Sequence, residues 1–164
     1  MPNRRIIERA KQDRRKGKAS STQAGEFVRE EVHHVRKGKH GARSPKQAIA
    51  IGLSKARRVG VRLSAPKKAT AETRRKAARD TAAGKHPRKS VSRTRSRATT
   101  GALKREGRSA ASKSGLARQA RSAAKRRSAT QRSAAARKGV RTKGSATRSA
   151  AAKKAARTRA KRRA

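Results

Sequence analysis

The stretch Lys37-Gly38-Lys39-His40-Gly41-Ala42-Arg43 holds the residues best suited to chemistry with a partner. Its two glycines let the backbone approach an anion closely, and Lys37, Lys39, His40 and Arg43 surround them with charge. The stretch runs straight into Ser44-Pro45-Lys46-Gln47, the signature of a helix start, where free N–H groups favour a phosphate. This pattern predicts a phosphate clamp, and Lys46, Arg57 and Arg58 of the following helix are also expected to meet nucleic acid. The same residues read equally well as a helix cap at Gly38, a turn at Gly41 and solvated cations. The GxxxxGK[ST] spacing of a Walker loop is absent.

A second candidate surface is the C-terminal stretch. From Gly107 to Ala164 there is no acidic residue and there are 20 Lys or Arg. Arg121, Lys125, Arg126, Arg127, Arg137, Lys138, Lys153, Lys154 and Arg157 are the residues expected to meet phosphates there. Each neutralised phosphate of a duplex releases counterions and contributes roughly −0.9 to the salt slope of binding. Such contacts hold little base information.

Other chemistries lack their parts. With no Cys, disulfides and thiolate metal sites are excluded. His33 and His34 are adjacent and point apart on a helix, so no metal site is expected, and no cofactor. No nucleophile, base and orienting group can be assembled, so the chain reads as a non-enzyme. Phe27 is the only aromatic residue, which disfavours base stacking on single strands and shifts the expectation towards duplex backbones. No apolar run approaches the roughly 18 residues that span a membrane, and the first residues lack a signal-peptide core, so a cytoplasmic protein is expected.

The elements that position these residues follow from where apolar side chains lie. The chain carries 52 Lys plus Arg against 8 Asp plus Glu, a net charge of +44. It has only 16 Ile, Leu, Val and Phe residues, ten of them between Phe27 and Leu63. That poverty predicts one small ordered module and long segments unable to offset their chain entropy alone. Within 20–63, Ser20 and Gln23 fit a capping box, and Ala24, Phe27, Val28, Val32 and Val35 share a helical face. Glu26, Glu30 and Glu31 are read as complementing the dipole near that helix's start, and Gly38 as its C-terminal stop.

Ser44 caps a second helix whose face is Ala48, Ile49, Gly52, Leu53 and Ala56, ending at Gly60. Gly52 implies close approach to the first helix, and Val61 and Leu63 a short tail folded back over the pair. Together they predict a helical hairpin. It is small enough to need help from a second copy of itself, from Ile6 and Ile7 of the preceding arm, or from nucleic acid.

The organisation expected is therefore mainly α: a basic arm (1–19), with a helix over about 3–15; the hairpin module (20–63); a basic linker (64–106) with a solvated or DNA-lying helix at 69–83 and an irregular stretch from Lys85 to Thr100; and a low-complexity, disordered or conditionally helical tail (107–164). The tetrad Arg-Ser-Ala-Ala recurs at 108–111, 121–124, 132–135 and 148–151, without a fixed period. In the tail, helix is expected over parts of 116–138 and 145–162, divided by Gly115, Gly139 and Gly144.

Residues 20–63, through the GKHG loop and KQAIAIGLSKARR, resemble a family of small basic bacterial proteins of unassigned function, often labelled DNA-binding or plasmid-stabilisation proteins. The resemblance implies a bacterial source and supplies no catalytic residue. Ser44-Pro45-Lys46 and Ala65-Pro66-Lys67-Lys68 resemble the Ser-Pro-Lys elements of linker-histone tails, and the stretch from Gly107 resembles those tails by composition. The leading expectation is a histone-like, nucleoid-associated protein that binds duplex DNA without sequence preference. Alternatives are an adaptor whose 20–63 module holds a protein partner, and a protein bound to structured RNA on the ribosome.

Overall fold

A computed structural model describes residues 3–66, 69–86 and 92–162, and among these the protein is all α. The described residues divide after Gln119 into two compact units.

The first unit is built around α2 (Ser20–Arg36), which packs against α1 (Arg4–Arg15) and α3 (Pro45–Arg58). Its face at helical spacing buries Ala24, Phe27 and Val35 completely. Phe27 anchors one cluster with Ala10, Ala56 and Val61, and Ile6, Ile7, Leu53, Val59 and Leu63 close over it. Full burial of a side chain like Phe27 stabilises by roughly 1.5–3 kcal/mol, a large share for so small a core. Ile6 and Ile7 of the arm, and Val61 and Leu63 after the second helix, thus supply cover that a bare hairpin lacks.

The hairpin's stops form as expected. At the end of α2, Gly38 (φ 71°) donates its N–H to Val35 O and Lys39 to His34 O. At the end of α3, Gly60 (φ 90°) bonds Arg57 O and Val61 bonds Ala56 O. Both are the paired bonds of a Schellman stop, in which a left-handed residue lets the chain reverse onto the helix. At the start of α3, Ser44 Oγ accepts from Gln47 N while Gln47 Oε1 accepts from Arg43 N, with Pro45 in the first turn.

Several expectations are corrected. Ser20 does not cap α2: the N-cap is Ala19, without a side-chain bond, and Gln23 Nε2 donates to Lys18 O instead. Starting at Ser20, α2 has no acid in its first turn. Its acids lie deeper in the helix and pin its neighbours. Glu26 faces Arg9 of α1, Glu30 accepts from the Asn3 N–H at the start of α1, and Glu31 accepts from Lys55 of α3.

The helix expected at 69–83 is α4 (Ala71–Lys85), and it is docked on α3 rather than solvated. Small residues make this possible. Ala77 is buried, and a β-carbon at Gly84 would come within 2.5 Å of Arg57 O, so the backbones meet where large side chains are missing. The stretch read as irregular runs into α5 (Arg93–Arg105), capped by Ser92, where Arg, Ala, Leu and Lys outnumber the weaker helix formers Ser, Thr and Gly. Residues 87–91 of that stretch, and Lys67 and Lys68 of the linker, lie outside the described residues.

The chain from Leu103 to Ala111 wraps the GKHG loop. Gly41 N donates to Leu103 O and Ala42 N to Gly107 O. A 3-10 turn, Ser109–Ala111, buries Ala110 and Ala111 against Val35, Ala42 and Ala48. Arg36 Nε ties it down through Ala111 O at 2.7 Å. The first Arg-Ser-Ala-Ala tetrad thus belongs to the core of the first unit, although the sequence assigns it to the tail.

Beyond it come α6 (Lys113–Lys125) and α7 (Ala129–Lys161). Gly115 lies within the first turn of α6, where its N–H is capped by Ser112 Oγ. Helix α7 has no buried residue and is broken by a kink at Gly144 (φ 68°, ψ 168°). No described helix is long and apolar enough to cross a membrane.

Candidate nucleic-acid interface

The expected clamp residues separate into two groups. Lys37, Lys39, Arg43 and Lys46 are exposed around the loop. The turn from α5 brings Lys104 and Arg108, which sequence reasoning missed, to the same place. A cleft of about 440 Å³ is lined by Lys39, His40, Lys104, Glu106, Arg108 and the glycines between them. The Arg108 guanidinium reaches to 3.3 Å from where a β-carbon of Gly38 would stand. Nothing in the spacing of Lys104 or Arg108 signals this; the signal is Gly41, whose missing β-carbon leaves room for Glu106's carbonyl.

The mode of anion binding differs from expectation. The N–H groups of Gly38, Lys39, Gly41, Ala42 and Arg43 are all bonded within the protein. The loop cannot cradle a phosphate with those amides. What it offers is side-chain cations on a rigid mount, which suits a delocalised polyanion better than a single fixed phosphate.

Arg57 is not available as expected. It is buried, and its Nε donates to Leu63 O at 3.0 Å, holding the folded-back tail. Arg58 is exposed but turned to Asp80 of α4, with Nε 2.8 Å from Oδ1.

His40 is half-buried and directed inwards. Its Nδ1 lies 3.0 Å from Gly41 O and its Nε2 3.2 Å from Glu31 Oε1. Glu31 is fully buried, and its other oxygen accepts from Lys55 Nζ at 2.5 Å. His34 stands beside them, its ring edge-on to that of His40 with centroids 6.1 Å apart. Burial, then the charges of Lys55 and Lys39, push the His34 pKa below its ordinary 6.5 and outweigh Glu30 and Glu31. The lowered pKa favours the neutral imidazole of His34.

In the second unit the expected contacts face solvent, with Arg126 also donating to Ser122 of α6. Arg121, Lys125, Arg126 and Arg127, and along α7 Arg137, Lys138, Lys153, Lys154 and Arg157, are all exposed. Ser128 caps α7 through Gln131 N, so the helix has a defined start without tertiary support. With no apolar stripe, it presents cations on every side.

Compared with protein-family models, with curated proteins and with solved structures, the chain matches none.

Proposed function

We propose that the protein is a non-enzymatic, histone-like DNA-binding protein that neutralises the phosphates of duplex DNA without reading sequence, in a bacterial nucleoid. One observation carries the reading. From Gly107 on there is no acidic residue, and every described Lys and Arg of that stretch is exposed. Elsewhere the acids are largely occupied internally: Asp13 by Lys18, Glu26 by Arg9 and Arg29, Glu31 by Lys55, Asp80 by Arg58. With 8 Asp plus Glu set against 52 Lys plus Arg, the net charge remains +44.

The mechanism is electrostatic. Cations on α6 and α7 displace condensed counterions along the duplex, and the released ions drive association. The loop cations Lys37, Lys39, Arg43, Lys46, Lys104 and Arg108 add a second, fixed point of contact. Resemblance of residues 20–63 to basic bacterial proteins labelled DNA-binding is consistent with this role. The test is competition at one salt concentration between unrelated duplexes and a structured ribosomal RNA. Duplexes of different sequence should compete within a few-fold of one another and displace the RNA. Preferential retention of the RNA would replace this reading with a ribosome-associated one.

A further inference from the structure

From the geometry of Glu31, His34 and His40 we infer a binding site for a borderline divalent metal ion such as Zn²⁺, fastening the end of α2 to the loop before α3. One ligand atom from each of the three residues lies within 4.8 Å of the others. An imidazole–imidazole–carboxylate set suits Zn²⁺ rather than Mg²⁺ or Ca²⁺, which prefer all-oxygen shells. In tetrahedral coordination with bonds of about 2.0–2.1 Å, neighbouring ligand atoms stand about 3.3 Å apart. His40 Nε2 and Glu31 Oε1 are 3.2 Å apart.

The hydrogen bonds around the trio orient it for this task. A carbonyl oxygen only accepts, so His40 Nδ1 donates its proton to Gly41 O. In the neutral ring this turns the lone pair of Nε2 towards Glu31 Oε1. Two lone pairs facing at that distance repel unless a positive centre is shared between them. Glu31 Oε1 is itself a buried oxygen with no hydrogen-bond partner among the described residues, although the side chain is wholly buried. Its other oxygen is held by Lys55, which leaves Oε1 as the free ligand and fixes its direction, as outer-shell partners do at metal sites.

The competing account is that His40 is an imidazolium donating to both Gly41 O and Glu31, with no role for a metal. The full-length protein, stripped by a chelator and returned to metal-free buffer at pH 7.5, separates the two. Zn²⁺ alone should bind at one equivalent by calorimetry and raise the unfolding midpoint by about 4 °C or more. His34→Asn together with His40→Asn should abolish both effects, and His33→Ala should leave both intact. Imidazole nitrogen chemical shifts of His34 and His40 should move on adding Zn²⁺ to the unaltered chain, a readout that survives even if the double variant folds poorly. Absence of binding, an equal midpoint shift in the double variant, or shifts confined to His33 and His86 would each overturn the proposal.

Discussion

A β-carbon at residue 52 would stand 2.7 Å from the Cα of Val28, so Gly52 is where α3 lies directly on the backbone of α2. Gly25, on α2, has nothing within 4 Å of its corresponding position. Helix propensity favours alanine over glycine by about 1 kcal/mol at both sites, but only at Gly52 does sterics oppose it. Gly52→Ala should destabilise by about 1–3 kcal/mol, because two helices must separate to admit the methyl. Gly25→Ala should stabilise by about 0.4–1 kcal/mol. Urea unfolding of the two variants should therefore shift in opposite directions, and equal shifts would refute the packing described.

Gly41 makes the same kind of contact with a different consequence. A β-carbon there would overlap the carbonyl of Glu106, which belongs to the segment covering the loop. Gly41→Ala should loosen the Leu103–Ala111 wrap, costing about 1–3 kcal/mol, while α1 and the Phe27 cluster keep their contacts. Hydrogen exchange should speed up at Ala42 and Ala111, whose amides bond Gly107 O and Arg108 O, and remain slow around Phe27.

How far the sequence was legible can be read from these residues. Gly38, Ser44 and Gly60 announce helix ends because their local chemistry is self-contained, and Gly52 announces a close crossing because glycine has few other uses inside a helix. Ala110 and Ala111 announce nothing. Their tetrad occurs four times, and only in the copy at 108–111 are the alanines buried; the alanine methyls are the same in all four. What distinguishes that copy is distant: Ala42 and Ala48 leave a hollow beside Val35, and Arg36 reaches Ala111 O across 75 positions. Glu31 and His40 were equally hidden, because their meeting depends on how the loop turns back on α2. The acids of α2 misled for a simpler reason. A helix start placed without tertiary contacts made them dipole partners, whereas two packed neighbours, α1 and α3, make them pins.

Arg57 and Arg58 are adjacent cations with different roles. Arg57→Ala removes a buried donor from Leu63 O and should cost about 1–2 kcal/mol, with the salt slope of DNA binding unchanged. Arg58→Ala breaks an exposed pair with Asp80 and should cost less than about 1 kcal/mol. A large loss of DNA affinity from Arg57→Ala in a protein of unchanged stability would contradict its placement.

Because Ala110 and Ala111 belong to the core, a truncation at residue 107 confounds stability with charge. A chain ending at Arg127 keeps α6 and removes 13 Lys or Arg along with α7, which buries no residue. Its unfolding midpoint should match the full chain, while its affinity for duplex DNA falls by at least about tenfold at physiological salt. Retained affinity would move the binding surface to the loop cations.

The most direct measurement is the affinity of the full chain for a duplex of arbitrary sequence, followed by anisotropy from about 50 to 300 mM salt. Phosphate neutralisation predicts that log Kobs falls linearly with log salt concentration, with a slope of about −5 or steeper, corresponding to about six or more phosphates engaged. A flat dependence across that range, or no binding at its lower end, would contradict the account.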